Sequence, residues 1–136
     1  DDTQNAGFSA ATPEELYVPI DPNENRPTVE RQMADPDSIY HEVKKLIAIR
    51  QSENVLQSEA KIEFLYCEEK AYPLAYRRTD GKDSVLVVIN PSGKEVGFAY
   101  DGKLGDVLYQ NGDGFKLEGG QLQIAPATAV FVRELA

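Results

Sequence analysis

Three pairs of adjacent acids, Asp1-Asp2, Glu14-Glu15 and Glu68-Glu69, are the first residues here with the type needed for acid–base work. A carboxylate pair that opens a glycoside with retention must face across the sugar at about 5–5.5 Å, usually from different elements. Neighbours in sequence do not meet that condition, so these acids are expected to be solvated charge. His41 is the sole histidine and has no cysteine or histidine at ligand spacing. A partly exposed helix residue is expected there, not a base or a metal ligand. Cys67 follows Tyr66 in an alternating stretch, with only Glu68 and Glu69 beside it. A reactive thiol needs a basic neighbour, so a small buried hydrophobe is expected. The glycines of "YQNGDGFKLEGGQ" suit hairpin turns better than a phosphate cradle, because no helix follows them. "DPNEN" (21–25) offers oxygen ligands but lacks the glycine and distant glutamate of a calcium loop. No cofactor or metal is expected, with calcium the less favoured alternative. Tyr66, Tyr72, Tyr76, Tyr100 and Tyr109 could stack on sugar rings, but tryptophan is absent and strand aromatics more often fill a core.

The elements that would position these residues fall into three stretches. Residues 1–34 carry Pro13, Pro19, Pro22 and Pro27, which remove donors and favour extended geometry, so an irregular stretch without a long helix is expected. "DPDSIYHEVKKLIAIRQ" (35–51) reads as an amphipathic helix, within a segment 35–52. Asp35 suits the N-cap, Pro36 the first helical position, and Asp37 the positive end of the dipole, with Lys44, Lys45 and Arg50 toward the other end. Ile39, Val43, Leu46, Ile47 and Ile49 form its apolar stripe. From about residue 55 the period changes to two, and turns at "DGKD", "INPSG", Asp101-Gly102 and "NGDG" separate seven or eight short strands. That spacing predicts an antiparallel sandwich of Greek-key type over 55–136.

The formal net charge of −9 argues against a nucleic-acid partner, and the longest apolar run, "VLVVI", is too short to span a membrane. The single cysteine allows no intramolecular disulfide. No secretory leader is visible, and the cytoplasm is the favoured compartment. The chain begins with Asp1 and has its one methionine at Met33, so it is expected to be processed or cut from a longer protein.

"NAGFS" (5–9), "QMADPDSIYHEVKKLIAIRQ" (32–51), "YPLAYRR" (72–78) and "VLVVINPS" (85–92) together resemble, in order, the C-terminal end of α-amylase superfamily enzymes. They are most similar to the α-glucosidase and oligo-1,6-glucosidase branch of glycoside hydrolase family 13. The resemblance implies that 1–34 is the loop after the last strand of a (β/α)8 barrel, 35–52 the last barrel helix, and 55–136 a small β-domain. It implies that the catalytic aspartates and glutamate lie on earlier barrel strands, since no position here matches their motifs, so this chain is expected to have no catalytic residue of its own. It places Asn5, Gly7 and Phe8 beside the mouth of that active site, with Asn5 and Phe8 near substrate; pinning the loop to the barrel rim is the alternative role. The implied partners are the catalytic barrel upstream and an α-glucan oligosaccharide. An uncovered helix stripe would favour self-association. A carbohydrate-binding module for α-glucans, the end of a transglycosylase such as trehalose synthase, and an unrelated interaction sandwich are the rival readings.

Overall fold

A computed structural model describes residues 1–136, whose contacts fall into two units, Asp1–Ile47 and Ala48–Ala136. The first unit is loop-rich, as its prolines require. Single 3-10 turns cover Gln4–Gly7 and Pro13–Glu15, and a six-residue helix, α1, covers Val29–Ala34. The proline pattern shows no sign of α1, which is short enough to fit after Pro27. Thr28 starts it by accepting the Arg31 amide at 3.3 Å.

The main helix, α2, runs Ile39–Ser52, three residues short of the start expected at Pro36. Asp35 does not cap it. The Asp35 amide donates to the Arg31 carbonyl at 3.1 Å and closes α1, while its carboxylate accepts the Asp37 amide at 3.0 Å. Gln32 takes over the capping role. Its side-chain oxygen accepts the Tyr40 amide at 3.0 Å, and its carbonyl accepts the Ser38 hydroxyl at 2.6 Å. One first-turn donor of α2, the Tyr40 amide, is thus satisfied by a residue of α1.

The second unit holds eight antiparallel strands. They are β1 (Lys61–Tyr66), β2 (Leu74–Thr79), β3 (Ser84–Asn90), β4 (Val96–Ala99), β5 (Lys103–Asn111), β6 (Phe115–Glu118), β7 (Gln121–Ile124) and β8 (Thr128–Leu135). One sheet has the order β1-β2-β3-β8-β5 and the other β4-β7-β6. The chain therefore changes sheet after β3, β4, β5 and β7. The β6–β7 hairpin turns on Gly119 and Gly120, both with positive φ (57° and 75°), the two-residue geometry that glycine permits.

Leu86, Val88, Val130 and Val132 pack from the larger sheet against Phe98, Leu122 and Ile124 of the smaller one. Burying each such side chain contributes about 1.5–3 kcal/mol. Val85 and Val87 point to the opposite face, where Val55 of a 3-10 turn (Asn54–Leu56) covers them. The continuous apolar run "VLVVI" is explained by burial on both sides. Asn90 ends β3 with no exposed surface. Its amide donates to the carbonyls of Lys94 and Ala125, both at 2.8 Å, and its oxygen accepts the Ser92 hydroxyl at 2.6 Å. A buried polar side chain so satisfied ties β3 to the smaller sheet at little net cost.

Strict alternation fails in β1. A bulge between Phe64 and Tyr66 sets both Leu65 and Tyr66 against the sandwich core, while Ile62 and Phe64 stay on the outer face, exposed. Cys67, expected to be buried, lies just past the strand end and is exposed. The bulge and the end of pairing leave nothing to cover it.

Candidate functional site

The segment around Asn5 is held by local hydrogen bonds. Asn5, Ala6 and Gly7 all lie in the left-handed region, with φ of 52°, 55° and 78°. Two of them are not glycine, so other contacts must hold the turn. The Asn5 amide does so, donating to the Ser9 and Ala11 carbonyls at 2.8 Å each. The Ala11 amide in turn donates to the Ser9 hydroxyl at 3.0 Å. Gly7, at φ 78°, has the backbone that favours glycine, and a Cβ there would also come within 2.6 Å of the Asp1 carboxylate and push it aside. Phe8 follows with its ring 86% exposed, beside a shallow pocket of about 430 Å³ lined by Thr3, Gln4, Gly7, Ser9 and Ala10. Chemically, this is a rigid turn that displays an apolar ring.

The other candidates are placed as follows. The Asp1 carboxylate accepts the Thr3 amide at 2.9 Å, and Asp2 pairs with Arg31 at 3.0 Å. Glu15 accepts the Thr12 amide at 2.9 Å, and Glu69 meets Lys70 at 3.3 Å in the open. His41 is half-buried, its Nε2 at 3.1 Å from the Met33 carbonyl. In "DPNEN", Asp21 and Asn23 accept the amides of Asn23 and Asn25, so these side-chain oxygens serve their own turns. No group of three or more His, Cys, Asp or Glu side chains could hold a metal ion. Tyr100 and Tyr109 are buried, Tyr66 and Tyr76 half-buried, and Tyr72 exposed. Phe64, which aromatic pattern alone did not single out, is exposed and lies edge-on to Tyr76.

Sequence reasoning missed the polar cluster at one end of the sandwich. The Arg77 Nε and Nη2 donate to the two oxygens of Glu134 at 2.5 and 2.8 Å, and Nη1 donates to Glu63 at 3.2 Å. The Tyr100 hydroxyl donates to Glu134 at 2.5 Å. Burial pushes the Glu134 carboxyl up, but the hydrogen bonds from Arg77 and Tyr100 and the Arg77 charge outweigh it and hold it below the usual value. Burial, and then the bond to Glu134, push the Tyr100 phenol well above its ordinary value. These residues line a cleft of about 730 Å³, in which Arg77 takes both oxygens of Glu134 and one oxygen of the more exposed Glu63. A locked bidentate pair of this kind positions structure and leaves Glu134 committed to its partners. Its one signal in the sequence is "YRRT", where adjacent strand arginines must face opposite sides and each needs an acceptor. Arg78 finds its own on the other face, donating to the Gln57 carbonyl at 2.5 Å. Arg133 holds both oxygens of Glu53 at 2.7 Å. Together they fasten the 53–57 segment to the larger sheet.

Along α2 no residue is buried. Ile39, Val43 and Ile47 are exposed and form, with Gln32, Tyr40 and Lys44, an apolar groove of about 440 Å³. Leu46 and Ile49 are half-buried.

No protein-family model matches the chain. Over 111 residues, 82% of its length, it is 37% identical to a glucan 1,6-alpha-glucosidase of Streptococcus pneumoniae, of which it spans 20%. Over 94 residues, 69% of its length, it is 35% identical to an oligo-1,6-glucosidase of Parageobacillus thermoglucosidasius, of which it spans 16%. The chain thus spans about a fifth of the length of the curated relatives it matches. A solved isomaltulose synthase variant of Erwinia rhapontici NX5 superposes on the whole chain with a TM-score of 0.79 at 26% identity, using 24% of that protein. A trehalulose synthase of Pseudomonas mesoacidophila MX-45 covers 99% of the chain, and the chain covers 24% of it, with a TM-score of 0.81; its 23% identity speaks to the fold alone.

Proposed function

Because this chain belongs to the α-amylase superfamily, glycoside hydrolase family 13, as the C-terminal part of an enzyme of the α-glucosidase and oligo-1,6-glucosidase branch, we propose that it supports a catalytic barrel without performing the chemistry. In this reading residues 1–34 are the loop from the end of the barrel, 35–52 its last helix, and 55–136 the β-domain. The intact enzyme acts on α-glucosidic bonds of oligosaccharides or starch, and Asn5 and Phe8 lie near the bound sugar. The barrel upstream in the same protein covers the α2 stripe.

The observation that carries this reading is the uncovered helix face: no residue of α2 is fully buried, and Ile39, Val43 and Ile47 are exposed along one stripe. Most helix stability comes from burying such a face, so the helix is built for a partner. The relatives' remaining length, about four-fifths, is the natural source of that partner. The test is to assay this chain alone on an aryl α-glucoside. No turnover is expected, and turnover above background would overturn the reading.

A second reading, a binding module for α-glucans, draws on Phe64, whose ring is exposed on the outer face of β1 beside Tyr76. Titration with maltooligosaccharides while following tyrosine fluorescence decides it, and the absence of a saturable change removes it. The transglycosylase alternative draws on the synthases among the structural neighbours. It is settled by product analysis of the intact enzyme: transfer products favour it, free glucose alone rejects it.

A further inference from the structure

Of the chain's six asparagines, only Asn111 precedes a glycine. It is the last residue of β5, opposite Ala129, and residues 112–114 then carry the chain from the larger sheet to β6 of the smaller one. Asn111 is exposed, and no hydrogen bond engages its side-chain amide. Gly112, at φ 94°, has no Cβ to shield its nitrogen from that side chain. The other asparagines are kept from the chemistry this allows. Asn5 donates to two carbonyls, Asn23 accepts the Asn25 amide, and Asn90 is fully buried before Pro91, which has no N–H. Asn25 and Asn54 precede Arg26 and Val55, whose side chains crowd the following nitrogen. Asp80, Asp101 and Asp113 also precede glycines, but a carboxylate must be protonated before one of its oxygens can leave. The Asp83 and Lys82 amides hold the Asp80 carboxyl below its ordinary value.

The surroundings of Gly112 leave no room for a longer main chain. A Cβ there would overlap the Thr128 hydroxyl and lie 2.8 Å from the Ala127 carbonyl oxygen. Thr128 is 2% exposed, accepts the Asp113 amide at 3.2 Å and donates to the Pro126 carbonyl at 2.8 Å. The Gln110 side chain donates to the Gly112 carbonyl at 3.2 Å. The corner after β5 is thus seated against the start of β8.

We infer that Asn111 is a site of self-modification, and that the isoaspartate formed there, with water as the only co-reactant, unseats the corner between the two sheets. The Gly112 nitrogen bonds to the Asn111 Cγ as the Cγ–Nδ2 bond breaks, and the Gly112 amide proton leaves with Nδ2 as ammonia. Water then opens the succinimide ring. Cleavage between Cγ and the Gly112 nitrogen gives aspartate. Cleavage at the main-chain carbonyl gives isoaspartate, in which Gly112 is joined through Cγ and the main chain is one methylene longer. No oxidant or reductant is involved. Both products add a negative charge, but only isoaspartate pushes Gly112 off Thr128 and breaks the Asp113 bond. All these contacts lie within the second unit, so the site is independent of the function proposed above.

The test uses this chain. After incubation in mildly alkaline buffer, peptide mapping should find acid at position 111 before any other asparagine has converted, as isoaspartate with less aspartate. N111Q, whose longer side chain disfavours ring closure, should give neither and should lose the early acidic species. Asn111 intact while other asparagines convert, aspartate without isoaspartate, or the same acidic species in N111Q would each overturn the site. Fresh N111D supplies the charge without the longer main chain. The Asp113 amide should exchange about tenfold faster or more in the isolated isoaspartate form than in the unmodified chain, with N111D like the unmodified chain. Unchanged exchange in the isoaspartate form, or equally fast exchange in N111D, overturns the unseating of the corner.

Discussion

Glu134 shows how much one side chain can hold. Its carboxylate is 8% exposed and receives two bonds from Arg77 and one from Tyr100. R77A would strand it, and we expect a loss of about 2–4 kcal/mol in chemical denaturation, tempered because Arg77 itself is 31% exposed. The same pair sets a pH dependence. The Glu134 carboxyl is held below its ordinary 4.5, so its contribution to stability is complete above that value and is lost as pH falls through the depressed one. Tm should therefore fall more steeply with decreasing acid pH for the wild type than for E134Q. Asn90 makes a parallel case: N90A leaves the Lys94 and Ala125 carbonyls without their donor, and about 2–3 kcal/mol should be lost. None of these partnerships is legible in the sequence, because Arg77 and Glu134 lie 57 positions apart. What the chain does reveal is a demand, an arginine or asparagine on an apolar strand, without the address of its partner.

At the scale of elements, seven or eight strands were legible because Asp-Gly, Asn-Pro and Gly-Gly punctuate short apolar stretches, and the structure holds eight. The helix was legible from its stripe, but its start was not. Asp35-Pro36 has the chemistry of a cap, and only the presence of α1 shows that Asp35 closes one helix while Gln32 opens the next. The β1 bulge was equally hidden, since it depends on where β2 stops pairing. The segment after α2 yields its own prediction. Arg133 grips Glu53, and Arg78 grips the Gln57 carbonyl, over Val55. R133A should raise amide exchange at 53–57 by about an order of magnitude or more, with the strands β3 and β8 protected as before. Uniform loss of protection would instead place Arg133 in the global core.

For the whole molecule, the candidate site was legible only through resemblance. "NAGFS" contains no acid–base pair and no motif whose spacing declares chemistry, so Asn5 and Phe8 gained meaning from the company of three other stretches. The structure adds the left-handed turn and the double amide bond, both set by backbone angles that composition does not encode. The exposed stripe on α2 also has a consequence for this chain in solution. Ile39, Val43 and Ile47 present an apolar groove that water covers poorly, and association between copies should relieve it. Sedimentation should show a mass that rises with concentration, and V43K/I47K should restore a monomer. A monomeric wild type at high concentration would contradict this expectation.

Arg77 and Arg78 sit side by side in β2, one turned to the Glu134 cluster and the other to the 53–57 segment. A slip of β2 by a single residue would carry one arginine into the other's place and leave the second displaced on the opposite face, away from the acceptor it has in the native register. Two adjacent charges thus bear on strand alignment as well as on stability: only the native register seats both arginines, and a slipped strand would bear the cost of one guanidinium without its acceptor.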